Sequence, residues 1–151
     1  MLKINIVTGP PGAGKNTYIN QHFCKGDILI DLDAIYACLS QNTSHCEKDL
    51  DLLNFSLDVR RFLYDYVRRY IKDKNVWIVA CMPNGRKREM LARTFRDATV
   101  YLLNPGKEAC IKHIEQDINR TYSSEYALKI VEDWYKKYSP SRNDKAVPLD
   151  D

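Results

Sequence analysis

Gly9-Pro10-Pro11-Gly12-Ala13-Gly14-Lys15-Asn16-Thr17 follows directly on the apolar run Leu2-Lys3-Ile4-Asn5-Ile6-Val7-Thr8. The order predicts a strand, a glycine-rich loop and a helix start, the arrangement (Walker A) with which P-loop proteins hold a nucleoside triphosphate. The glycines allow main-chain N–H groups to close in on phosphate oxygens. The helix that follows points its positive end at the same anion. Lys15 adds a point charge able to reach the β- and γ-phosphates. A tight strand-to-helix connection also uses glycines, but here the full Gly-x-x-x-x-Gly-Lys spacing sits at the end of a strand. Gly9 to Thr17 are therefore the expected nucleotide-binding residues, with ATP and Mg²⁺ as the expected cofactors.

One position departs from the pattern. Where a Ser or Thr hydroxyl would meet the magnesium ion, this chain has Asn16. An amide oxygen also ligates hard cations. Thr17 does not simply take over, because one residue along a helix turns a side chain by about 100°. Three readings stay open: Asn16 is a working ligand, metal affinity is weakened, or nucleotide is bound and turned over poorly.

Around this motif the composition is that of an ordinary single globular domain: 151 residues, 44% hydrophobic and 28% charged. A net charge of +3 is too small to announce a nucleic-acid binder, so any basic surface has to be local. Cys24, Cys38, Cys46, Cys81 and Cys110 are odd in number and scattered, which suits reduced thiols. Cys81 ends a strand-like run and has two readings, a thiol near the nucleotide or, the one preferred here, a small buried hydrophobe. No apolar stretch approaches about 18 residues and no signal peptide precedes the first strand, so the expectation is a cytoplasmic protein without a membrane partner.

Strand and helix signals alternate along the chain. A helix over Gly14–Phe23 precedes a strand over Asp27–Asp31, a short helix over Ala34–Leu39 and a polar loop over Ser40–Glu47. A long helix is expected over Lys48–Asp73, with Leu52, Phe55, Val59, Phe62 and Tyr66 as its apolar stripe. Strands over Val76–Ala80 and Ala98–Leu103 each run into a turn signal and a helical segment. A last helix spans Ser124–Tyr138. The pattern predicts an α/β/α sandwich on a parallel sheet of about four strands with a helical lid, in one domain over 1–138. Residues 139–151 are expected to be a mobile tail. Ligands in such folds bind at the carboxyl ends of the strands.

Asp31-Leu32-Asp33 closes the second strand at that edge. Phosphoryl transfer to a hydroxyl needs a carboxylate to accept the proton, and a second acid helps hold Mg²⁺. Asp33 is the expected base and Asp31, with Asn16, the expected metal ligand. Against this stands a capping role, for which Asp33 is the natural candidate by position. No Asp ends Trp77-Ile78-Val79-Ala80-Cys81, which counts against a motor-type ATPase. The stretch Lys112–Thr121 between two helices is the expected lid, with Arg120 at its tip closing over the transferred phosphoryl group. Arg86 and Arg88, past the third strand, are candidates for an acceptor phosphate. Arg60-Arg61 and Arg68-Arg69 interleave with Asp58 and Asp65 and read as surface ion pairs.

These residues resemble a family. The loop, Asp31-Leu32-Asp33 and the run Arg120 to Tyr138 look like the kinase domain of phage polynucleotide 5′-kinases. Nearly the whole chain to Asn143 resembles small phage-encoded P-loop proteins labelled ATP-binding or kinase-like, through Asp27–Ala34, Val76–Val79, Leu102–Gly106 and Trp134-Tyr135. The resemblance implies Asp33 as general base, Arg120 as lid arginine, Lys15 on the donor phosphates and, for a phage protein, the host cytoplasm. Two positions depart: Asn16, and Ile35-Tyr36-Ala37 where those kinases carry an arginine for the acceptor phosphate. The expected function is an ATP-dependent phosphotransferase on a polynucleotide 5′-hydroxyl or a nucleotide. The alternatives are a nucleoside monophosphate kinase and a nucleotide-dependent binding module with little turnover. The sequence leaves the acceptor and the oligomeric state open.

Overall fold

The computed structural model describes residues 1–42, 48–96, 98–121 and 123–148. Its elements run β1 (Lys3–Thr8), α1 (Lys15–His22), β2 (Ile28–Ile30), α2 (Leu32–Ser40), α3 (Leu50–Tyr70), β3 (Asn75–Ala80), α4 (Gly85–Thr94), β4 (Thr99–Leu102), α5 (Lys107–Gln116), α6 (Ser124–Lys137) and β5 (Asp144–Ala146). The strands form one sheet in the order β2-β3-β1-β4-β5. Every pairing is parallel, with β1 at the centre between β3 and β4.

Period-two alternation on buried strands supplies both cores. Ile4 and Ile6 of β1, Val76, Ile78 and Ala80 of β3 and Val100 of β4 face Val67 of α3 and Leu91, Ala92 and Phe95 of α4 and its end. Val7 and Trp77, on the opposite face, pack with Ile19 of α1, Cys110 and Ile114 of α5 and Ala127 and Val131 of α6. Side chains cap four of the helices. Asp31, Asp49, Asn84 and Ser123 each accept a hydrogen bond from a backbone N–H of the first turn. No described helix is long and apolar enough to cross a membrane.

Three expectations are corrected. Residues expected as a mobile tail instead add a fifth strand: β5 pairs with β4 from Val100–Asp144 to Leu102–Ala146. A three-residue strand of Asp, Lys and Ala has no apolar signature, and the contacts that hold it lie elsewhere. Arg88 of α4 is 1% exposed and bonds both carboxylate oxygens of Asp144, at 2.9 and 2.6 Å. Residues 149–151 of that tail, like 43–47 of the expected polar loop, lie outside the described residues. On α3, three residues of the expected stripe point outward: Phe55, Phe62 and Tyr66 are exposed, Leu52 and Val59 are half-buried, and the buried positions are Ser56 and Val67. Finally, Lys112 to Gln116 belong to α5, so the segment between α5 and α6 begins only at Asp117.

Candidate active site

A cleft of about 900 Å³ opens at the carboxyl ends of β1, β2 and β3. Its lining brings together Pro11 to Thr17, Asp31, Asp33, Cys81 and Arg120, residues scattered over more than a hundred positions of sequence. Strand order reverses about β1 here, where ligand crevices of parallel sheets form.

The loop between β1 and α1 is built for close approach. Gly12 has φ +77°, and a Cβ there would stand 2.4 Å from the Cys110 carbonyl oxygen. Only glycine meets both conditions. Gly9 and Pro10 are buried beneath the loop, and their carbonyls accept hydrogen bonds from Lys15 Nζ at 3.0 and 2.7 Å. The Lys15 ammonium is thereby kept folded against the loop. Burial lowers its pKa from the ordinary lysine value; Arg120 adds to this, and Cys81, Cys110 and Asp33 oppose it. An incoming phosphate would supply the counter-charge that this lysine lacks. Asn16 and Thr17 are exposed and line the cleft.

The two aspartates divide roles in the reverse of the positional expectation. Asp31 is the N-cap of α2, its Oδ1 accepting from the Asp33 N–H at 3.0 Å. Asp33 sits in the first turn, and its Oδ1 pairs with Lys48 Nζ at 2.7 Å. Lys48 also lies over the Tyr36 ring, 5.5 Å from its centroid, and the Tyr36 hydroxyl accepts from the Asp49 N–H. The start of α3 is thus tied to α2 beside the acidic pair. Both carboxylates border the same cleft as the loop.

Arg120 stands in the short segment after α5. Its Nε donates to Asp117 Oδ2 at 3.0 Å, and its backbone N–H to the Asp117 carbonyl. Both residues line the cleft. Cys81 is not a core hydrophobe. It is open to the cleft and donates from Sγ to the Gly9 carbonyl at 3.3 Å, and desolvation raises its pKa while Lys15 opposes.

The acceptor candidates past β3 are not in the cleft. Arg88 is buried and its guanidinium is consumed by Asp144 and the carbonyls of Met82, Pro83 and Ser139. It ties the chain's end to α4 and has no donor to spare for a ligand. Arg86 is exposed on α4 and borders a separate groove with Glu89 and Pro140.

Sequence reasoning missed several lining residues. His113 on α5 sets Nδ1 2.8 Å from the Gly12 carbonyl oxygen, bracing the loop from outside. Arg60 reaches the cleft from α3, and Val147 and Pro148 reach it from beyond β5. Nothing local marks these positions: each depends on how a distant element packs. Among the described residues, no three His, Cys, Asp or Glu side chains converge on a metal site. Oxygens available to a hard cation along the cleft include those of Asn16, Thr17 and the aspartate pair, and magnesium held largely by phosphates and water needs few protein ligands.

No protein-family model matches this chain, and no curated protein sequence matches it. Solved structures do. A gluconokinase from Sinorhizobium meliloti 1021 is similar with a TM-score of 0.59 and 13% identity, over 96% of this chain and 81% of that one. A chain of the Pnkp1/Rnl/Hen1 RNA repair complex is similar with a TM-score of 0.64 and 15% identity; 89% of this chain matches 44% of that one. Shikimate kinase from Acinetobacter baumannii, in complex with shikimate, is similar with a TM-score of 0.52 and 15% identity, over 99% and 85%. At these identities the likeness is one of architecture, and that architecture is the α/β fold of P-loop kinases.

Proposed function

We propose that the chain is an ATP-dependent phosphotransferase that acts on a hydroxyl, with a polynucleotide 5′-hydroxyl or a nucleotide as acceptor. The observation that carries this reading is the meeting of the glycine loop, Lys15, Asp33 and Arg120 around one cleft. In this reading residues 1–138 and strand β5 act as one unit. The loop amides and Lys15 bind the donor phosphates, Lys15 leaving the Gly9 and Pro10 carbonyls to do so. Asp33, oriented by Lys48, takes the proton from the acceptor hydroxyl as it attacks in line. Arg120 moves from Asp117 towards the transferring group, where its charge counts most in a site that excludes water. Asn16 and Asp31 would hold Mg²⁺, which neutralises charge building on the phosphate oxygens. The RNA repair complex among the similar structures supports a nucleic acid as the acceptor.

Asn16 favours a second reading, a nucleotide-dependent binding module with little turnover. One experiment separates the two. Transfer from γ-labelled ATP, with Mg²⁺, is measured on 5′-hydroxyl DNA and RNA, nucleoside monophosphates and nucleosides, while calorimetry follows ATP binding. The phosphotransferase reading expects label on one acceptor class, lost in Asp33→Asn with ATP binding retained. ATP binding without transfer to any acceptor would move the weight to the binding module.

A further inference from the structure

Arg60 lies on α3, on the acidic side of the cleft, and borders it together with Asp31, Asp33 and Met82. The other cations near the site are committed. Lys15 bonds two loop carbonyls, Lys48 pairs with Asp33, Arg120 with Asp117 and Arg88 with Asp144. Arg60 is partly buried and, among the described residues, its guanidinium makes no hydrogen bond and no ion pair. It lies over the ring of Tyr64, 5.7 Å from guanidinium carbon to centroid. That ring is braced edge-on by Phe95 at 5.5 Å, so the arginine rests on a packed surface.

Its place follows from the packing of the helices. Helix α3, which carries Arg60, packs against α2, which carries Asp33, and both side chains line the same cleft. A guanidinium offers five N–H donors in a planar fork matched to oxyanions, and partial desolvation makes leaving it unpaired costly. A neutral polyol next to Asp33 would leave it so.

We infer that Arg60 binds an oxyanion carried by the acceptor, making the acceptor itself an anion whose hydroxyl lies within reach of Asp33. The inference deepens the phosphotransferase reading and rests on it for the word acceptor. The shared chemistry is a phosphate or carboxylate on the hydroxyl-bearing molecule: a phosphate neighbouring the hydroxyl of a nucleotide or polynucleotide end, or the carboxylate of a sugar acid.

The test uses matched pairs. A nucleoside 3′-phosphate with a free 5′-hydroxyl is compared with the parent nucleoside, and an aldonate with its aldose. Each is assayed for label transfer from ATP and, by calorimetry, for binding in the presence of a non-hydrolysable ATP analogue. Wild type, Arg60→Ala and Arg60→Gln are compared, Gln being kept in case Ala disturbs the Tyr64 surface; ATP affinity and the thermal midpoint serve as folding controls.

The expected result is preference for the charged member of one pair, which tells phosphate from carboxylate. Both variants should raise its KM or Kd by about tenfold or more, the scale of a lost charge-assisted hydrogen bond. The neutral member should be unaffected and kcat should change little. Equal affinity of variants and wild type for the charged probe, or no charged probe bound by any of them, would overturn the assignment. Arg60-dependent binding without transfer would uphold Arg60 and remove the kinase reading; transfer indifferent to Arg60 would do the reverse.

Discussion

Gly12 shows how narrowly the site is determined at single positions. Its φ of +77° is costly for any residue with a Cβ, by about 1–2 kcal/mol. The added methyl would also meet the Cys110 carbonyl at 2.4 Å and Ile114 Cγ1 at 2.9 Å. Gly14 shares the left-handed conformation, at φ +86°, but a Cβ there meets nothing within 4 Å. The pair therefore separates strain from clash. Gly14→Ala should lose about 1–2 kcal/mol of stability. Gly12→Ala should lose more, because α5 must move off the loop, and its ATP affinity should fall by about tenfold or more. Thermal denaturation and calorimetry on the two variants check this; equal losses would mean that the contact with α5 yields freely. That the glycine loop, Lys15 and the aspartate pair meet at one cleft was legible in sequence, because each lies within a few residues of a strand's carboxyl end. Arg60, Lys48 and His113 were not, because nothing within a few residues of each says which distant surface it meets. Arg88 was misread for a related reason: from sequence, a buried arginine and a solvated one look alike until the partner at Asp144 is known.

At the scale of elements, β2 is short and owes its place to what precedes it. Asp27 Oδ2 accepts from the Cys24 N–H at 3.0 Å, Asn75 Nδ2 at 2.8 Å and Trp77 Nε1 at 3.0 Å, linking the entry to β2 with β3. The Cys24 amide, then the Trp77 and Asn75 donors, hold the carboxyl below its ordinary value of 3.8. The folded pKa is the lower one, so this stability is fully present above 3.8 and is lost as the pH falls through the folded value. Asp27→Asn should lower the thermal midpoint at neutral pH, and the gap to wild type should close as the solution is acidified below that range. A gap independent of pH would show that the hydrogen-bond geometry matters and the charge does not. Helix α3 carries the complementary lesson. Its period was readable, yet the face was not, since Phe and Tyr count as apolar wherever they point. Phe62 is 65% exposed and Val67 only 3%. Val67→Ala should therefore cost about 1–3 kcal/mol, against less than about 1 kcal/mol for Phe62→Ala, although the latter deletes far more side chain. Urea denaturation of the two variants decides it, and the opposite order would restore the face read from the sequence.

For the whole molecule, the chain's last described segment is what completes the sheet and one wall of the cleft. The Arg88 guanidinium, bonded to Asp144 and to the carbonyls of Met82, Pro83 and Ser139, ties α4 and the end of β3 to β5. Gly85 lets the segment come close, since a Cβ there would stand 2.3 Å from the Pro140 carbonyl oxygen. Val147 and Pro148, which follow β5, border the cleft. Stability and ligand binding should thus be coupled through one buried ion pair. With side chains 1% and 8% exposed, removing either partner leaves an uncompensated charge, at a cost of about 3–5 kcal/mol. Arg88→Met and Asp144→Leu should each lose about that much, and the double variant should lose less than the sum, because it leaves neither charge stranded. ATP affinity should fall in both single variants although neither residue lines the cleft, since β5 positions Val147 and Pro148. Chemical denaturation and calorimetry on the three proteins test the coupling. Single variants that lose stability yet bind ATP as wild type does would confine the ion pair to folding and leave the cleft wall independent of β5.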